Sequence, residues 1–233
     1  MLSVVIPTHN RPDLIGRAID SVLNQTVPVD EIIVVDDSNC AQTKNIVEGY
    51  GCDYLEYVVN SDFGASSSRN LGVKISSSDY VAFLDDDDIF FSNKISKIKA
   101  VCESLPSIDV IYHAAKITMI NEKCSYFSKP KFFEDRQDFI KNLTISNIIG
   151  GTPMVVVKRV SFLNTGGFDG ALTALEDYEL WLRMAIANYN FFMLEQPLTN
   201  CFYMTMSASV SKNINSNLLS LQMIRAKHSN VFS

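Results

Sequence analysis

The chain has 233 residues, 47% hydrophobic and 20% charged, which is enough apolar sequence to bury one α/β core without disulfide or metal staples. A net charge of -6 argues against a nucleic-acid partner, because such partners call for a basic face. Five scattered cysteines (Cys40, Cys52, Cys102, Cys124, Cys201) with no C-x-x-C pair read as reduced thiols, and His9, His113 and His228 are too dispersed for a metal motif.

The first half alternates short apolar runs with helical patterns. Leu2–Pro7 is a continuous apolar strand, as expected for a strand buried on both faces of a parallel sheet. Asp13 is placed to cap a helix whose stripe is Leu14, Ile15, Ala18, Ile19, Val22 and Leu23. Glu31–Val35 is a second strand ending in Asp36-Asp37-Ser38. A polar helix follows, then Tyr54–Val59 as a third strand and Gly64–Ile75 as a helix. Tyr80–Leu84 is a fourth strand, and it runs into Asp85, Asp86, Asp87 and Asp88. This order predicts an α/β fold, a single domain with a mostly parallel, doubly wound sheet and helices on both faces.

The second half is less regular. Val110–His113, Ile117–Ile120, Thr152–Val157, Phe191–Leu194 and Thr199–Tyr203 read as strands. Tyr126–Phe139 reads as loop plus short helix, Gly166–Asp169 as a turn, and Leu175–Ala187 as a helix with Trp181 on its core side. His113 reads as a structural residue at a strand end. A Ser- and Asn-rich tail leads to a short amphipathic stretch, Leu218–Ala226. The division expected is 1–204 as the main domain (1–90 binding nucleotide, 91–204 facing the acceptor) and 205–233 as a tail. No apolar run reaches transmembrane length, and Met1 enters a strand without a basic leader. A cytoplasmic protein is therefore expected, with the tail helix offering peripheral contact at the inner membrane face. The sequons at Asn24 and Asn142 then read as chance matches.

In an open parallel sheet, ligands bind beyond the carboxyl ends of the strands. Two strands here finish there in acid, at Asp36-Asp37 and at Asp85–Asp88. Crowded carboxylates repel unless a cation sits among them, and their hard oxygens suit Mg²⁺ or Mn²⁺. Such an ion neutralises a diphosphate as it leaves.

Five stretches then match one family in order. They are Ser3-Val-Val-Ile-Pro-Thr-His-Asn-Arg-Pro12, Glu31-Ile-Ile-Val-Val-Asp-Asp-Ser38, Arg69-Asn-Leu-Gly72, Phe83-Leu-Asp-Asp-Asp-Asp88, and Gly167-Phe-Asp169 followed by Glu176-Asp-Tyr-Glu-Leu-Trp-Leu-Arg183. Through them the chain resembles the family 2 inverting glycosyltransferases of GT-A fold, over roughly residues 2 to 185. The resemblance implies a metal-dependent glycosyltransferase that moves a sugar from a UDP-sugar to the hydroxyl of a saccharide or lipid-linked saccharide, in polysaccharide or glycolipid assembly. It places Pro7 and His9 at the nucleobase, where His9 stands in a position that commonly holds Tyr. Asp37 would accept from the base, Arg69 would lie near the nucleotide, and Asp85 would face the ribose. Asp87 would bind the Mn²⁺ or Mg²⁺, with Asp86 able to share either role. Asp177 would be the catalytic base. A family histidine expected near Met206 is absent from the sequence.

Rival readings are a nucleotide-sugar-binding GT-A domain without turnover and a nucleotidyltransferase, although Pro7–Pro12 has no glycine for the latter's loop. Phe83–Asp88 also fits a dehalogenase-type phosphatase motif, but it follows the fourth strand instead of the first.

Overall fold

The computed structural model describes residues 1–204 and 214–232. β1 (Leu2–Thr8), β2 (Glu31–Asp36), β3 (Leu55–Val59) and β4 (Tyr80–Phe83) pair in parallel in the order β3-β2-β1-β4. Every residue of β1 and β4 is buried, so both strands are apolar without alternation. The crossovers are α1 (Pro12–Leu23), α2 (Ala41–Gly49) and α3 (Ala65–Ile75). Ile15, Ala18, Ile19 and Val22 are the inward stripe of α1. Asp13 does not cap it. The helix starts at Pro12 behind Arg11, because proline lacks the N–H that a first helical residue leaves unpaired anyway.

Strand direction reverses past β4. The remaining strands are β5 (Ile89–Phe90), β6 (Val110–Met119), β7 (Cys124–Phe127), β8 (Val155–Lys158) and β9 (Phe191–Tyr203). They extend the sheet as β4-β8-β6-β9-β5, and β7 forms a hairpin with β6. β8 is antiparallel to both β4 and β6, whereas β9 runs parallel to β6. The remaining helices are α4 (Lys94–Ser104), α5 (Arg136–Ile145), α6 (Arg159–Thr165), α7 (Glu176–Ile186) and α8 (Ile214–Lys227).

Successive strand residues feed opposite faces. Val5, Val81 and Phe83 pack with Phe162, Phe168 and Trp181 on one side. Val4, Ile6 and Leu84 pack with Ile15, Ile19, Ile95 and Ile98 on the other. The expected helices on both faces are therefore present, and Trp181 is a core residue. Gly72 sets how closely α3 approaches β1, since a Cβ there would lie 2.4 Å from Val5 Cγ1.

Several expectations in the second half change. Val110–His113 and Ile117–Ile120 belong to one strand, bulged at His113–Ala115, so His113 is buried within β6 and not at a strand end. Phe191–Leu194 and Thr199–Tyr203 are likewise one strand, β9. Thr152–Met154 is a 3₁₀ turn ahead of β8. The Phe-rich segment begins in β7 and ends in α5, with Phe139 buried and Phe127 and Phe132 exposed. α8 lies against the domain through Ser220, Ile224 and His228 while Leu218 and Leu219 face outward. Glu179 of α7 gathers Arg183, Lys227 and His228 around one buried carboxylate.

Candidate active site

The carboxyl ends of β1, β2 and β4 share one edge of the sheet, because Thr8 and Asp36 lie level in the register and Leu84 N–H donates to Val5 O. β8 arrives antiparallel, so its start brings the Gly150-Gly151 loop to that same edge.

Asp36 and Asp37 do different work. Asp36 is buried and accepts from Ser38 N and Oγ, Cys40 N and Tyr57 OH. Burial alone would raise its pKa, but these donors outweigh it and hold the carboxyl below its ordinary range. It shapes the turn after β2. Asp37 faces the edge, receiving His9 Nδ1 at 2.6 Å and Gly64 N at 2.6 Å. Gly64 carries a φ of +108, a conformation side chains resist, and so can present its N–H ahead of α3. The His9 ring is 64% exposed, leaving its face open for stacking. Pro7 is buried in β1 opposite Val35 and supports this corner from beneath.

The acidic loop divides in the same way. Asp86 turns inward, with Thr8 Oγ1 donating at 2.8 Å and Arg11 Nη1 at 2.9 Å. Burial still pushes its pKa up to about 6. Asp88 is also buried, accepts from Phe202 N at 2.9 Å, and has a pKa raised by burial and by Asp85. Asp85 and Asp87 remain about one-third exposed at the edge. Asp87 has its pKa raised by burial and then by Asp85, so negative charge there is incompletely offset even with Arg11 at 3.2 Å. Two hard carboxylates with surplus negative charge fit Mg²⁺ or Mn²⁺, which take one or two carboxylates and complete their shell with phosphate oxygens and water. Among the described residues no third metal-ligating side chain joins them. The region of Met206 lies outside the described residues.

Arg69 connects this loop to α7. Its guanidinium is buried, reaches Asp85 at 2.6 Å and Glu176 at 3.2 Å, and lies over the Phe168 ring. The neighbouring Asn70 clamps Phe168 by both backbone groups, Nδ2 to its O and Oδ1 from its N. The Arg69–Gly72 stretch thus supplies a charge to the edge, a clamp to the loop before α7 and a seat on Val5. Asp177 stands at the start of α7 after Leu175, whose φ of +60 is unusual for a bulky residue. Its Oδ1 accepts from Tyr178 N, and its Oδ2 faces Gly151. Burial, then the charge of Glu176, raises its pKa to about 7. A carboxyl with that pKa is suited to take a proton near neutrality.

The structure brings His9, Asp37, Arg69, Asp85, Asp87 and Asp177 to one edge and turns Asp86 away from it. Arg11 and Thr8 were not singled out from sequence, because nothing in local spacing shows that β1's exit folds over an acidic loop some 75 residues later. A family model described as glycosyl transferase family 2 matches residues 3–160.

The chain belongs to glycosyl transferase family 2. An uncharacterized glycosyltransferase of Haemophilus influenzae is 34% identical over 227 residues, 97% of this chain and 76% of that protein. Against other uncharacterized glycosyltransferases, from Rickettsia, the chain spans 58% of their length. Among solved structures, S. aureus TarS 1-349 in complex with UDP-GlcNAc superposes with a TM-score of 0.74 at 21% identity, covering 97% of this chain and 66% of that one. A mannosyltransferase from Pyrobaculum calidifontis in complex with GDP-Man and Mn²⁺ gives 0.68 at 17%, covering 98% and 64%. The fold is of GT-A type, and the protein is a glycosyltransferase.

Proposed function

We propose that this family 2 member transfers a sugar from a UDP-sugar to an acceptor hydroxyl with inversion, and that Asp177 is the base. The observation that carries the reading is the edge itself. A carboxyl with its pKa raised to about 7 stands beside Asp85 and Arg69 on one hydrogen-bonded frame. His9 and Asp37 would hold the uracil, the ring by stacking and the N3–H by the carboxylate. A UDP-GlcNAc complex of a neighbour supports a UDP-type donor. Asp85 would meet the ribose. Asp87 would hold Mn²⁺ or Mg²⁺, which supplies charge neutralisation for the diphosphate when bound. Arg11, now paired with Asp86 and Asp87, is placed to turn to phosphate instead. Asp177 takes the acceptor's proton as the sugar–phosphate bond opens on the far side of the anomeric carbon. Inversion in one displacement needs no covalent nucleophile.

On this reading 1–90 is the donor half and 91–204 the acceptor half. A lipid-linked saccharide acceptor is supported by a 38% identical Campylobacter jejuni relative, matched over 42% of this chain, named as a glucosyltransferase acting on GalNAc(5)-diNAcBac-PP-undecaprenol. The outward Leu218 and Leu219 support peripheral contact of a cytoplasmic enzyme with the membrane, which flotation with liposomes tests. The donor reading is tested by titrating UDP and GDP with Mn²⁺ and again with EDTA. UDP should bind more tightly, and only with the ion. Equal affinities, or indifference of the wild type to chelation, would remove it.

A further inference from the structure

On the other side of the acidic loop, β6, β7 and β9 line with α1 an open surface pocket of about 360 Å³. Strand register explains its lining. Lys116 and Thr118 lie opposite Asn200 and Phe202 of β9, and Thr118 lies opposite Ser125 of β7, so all five share one sheet face. Arg17 of α1 faces them, its guanidinium 4.4 Å from the centre of the Phe202 ring and donating to the Asp87 carbonyl. Lys123, in the turn between β6 and β7, stands at the mouth.

Three cations therefore line one pocket, and among the described residues lining it there is no carboxylate. This is a local reversal in a chain of net charge -6. Like charges around a shared space repel, and an anion between them removes that cost. Arg17 is already steadied by an aromatic face and a carbonyl, so its planar fork is presented with little freedom left to lose. Ser125 adds a hydroxyl donor. We propose that this pocket binds the phosphoryl group of a phosphate ester, at a site separate from the donor's diphosphate. Arg17 bonds the Asp87 backbone carbonyl and its charge reaches the Asp87 carboxylate that the donor reading uses, so the two sites share a loop and a field but no hydrogen-bonding side chain.

The test is calorimetric, on the full chain at fixed ionic strength with UDP and Mn²⁺ saturating. Glucose 1-phosphate, geranyl phosphate and inorganic phosphate are titrated into wild type and into a Lys116→Gln, Lys123→Gln double variant. At least one ester should bind with UDP present and lose about tenfold or more in affinity in the variant, with UDP affinity unchanged. Which ester binds better shows whether the phosphate comes from a sugar or from a lipid. Equal ester affinity in the variant, displacement of the ester by UDP, or binding of inorganic phosphate alone would each overturn the proposal. If UDP itself does not bind, the donor reading fails, and the same titrations without nucleotide still decide this one.

Discussion

Asp85 and Glu176 are held by one guanidinium: Arg69 spans from the end of β4 to the first turn of α7 and bonds both carboxylates. The donor-side loop and the helix that carries Asp177 are thereby fixed to a single buried cation. Removing it strands two partly buried acids. Arg69→Met should cost about 3–5 kcal/mol of unfolding free energy, read by urea denaturation. Arg69→Lys should recover part of the stability and little of the transfer rate, because an ammonium cannot fork to both partners. A fully stable Arg69→Met protein would show that the bridge does not organise this edge.

Replacing the proposed base is the sharpest test of mechanism. Asp177→Asn keeps shape but takes no proton, so turnover should fall by roughly 10²- to 10⁴-fold with UDP-sugar affinity retained. Wild-type kcat/KM should rise with pH through about 7 and then level, since the carboxyl works only when ionised. Transfer by Asp177→Asn at near wild-type rate would move the search to Glu176.

The same residue should cost stability. With its folded pKa raised to about 7 and its unfolded pKa at the ordinary carboxylate value, Asp177 takes up a proton on folding between those limits. Its contribution is neutral below the unfolded pKa and becomes increasingly unfavourable as pH rises through the folded one. Asp177→Asn should therefore melt higher than wild type at pH 8 and alike near pH 3.5. Parallel melting curves at both pH values would contradict the burial of this charge.

Glu179 behaves oppositely. Burial would raise its pKa, but His228, Arg183 and Lys227 outweigh that and bring it to about 2. The stability it contributes is complete above its ordinary pKa and is lost as pH falls toward about 2. Glu179→Gln should cost about 3–5 kcal/mol at neutral pH by removing the buried carboxylate that Arg183 and His228 share. It should also expose α8 to limited proteolysis. Intact α8 in the variant would mean that Ile224 and its apolar neighbours alone dock the helix.

The first four strands and three helices were legible because β1, β2 and β4 are buried almost throughout and write nearly unbroken apolar runs, while β3 is a half-buried edge strand beside β2. Beyond β4 that logic fails. Ala114, Ala115 and Lys116 interrupt the apolar signal of β6, yet the strand continues because β9 and β7 pair with it there. Pro197 lies between the two runs that read as separate strands, yet β9 continues through it, because it sits opposite the bulge at Ala114 where the register is irregular. β5 has two residues, too few for any pattern. Within the site, the motif residues were visible as types at spacings, whereas the inward turn of Asp86 depends on Thr8 and Arg11 meeting it through space.

The reversal of strand direction between β4 and β8 has an evolutionary consequence. On the proposed donor reading the nucleotide would be gripped by loops that leave parallel strands, whereas the Gly150-Gly151 loop beside Asp177 enters an antiparallel one after a long excursion through β7 and α5. That excursion can lengthen, shorten or be exchanged without disturbing the registers of β1, β2 and β4. If the two halves divide the donor and acceptor as proposed, a lineage can thus retool what receives the sugar while inheriting unchanged the grip on what carries it.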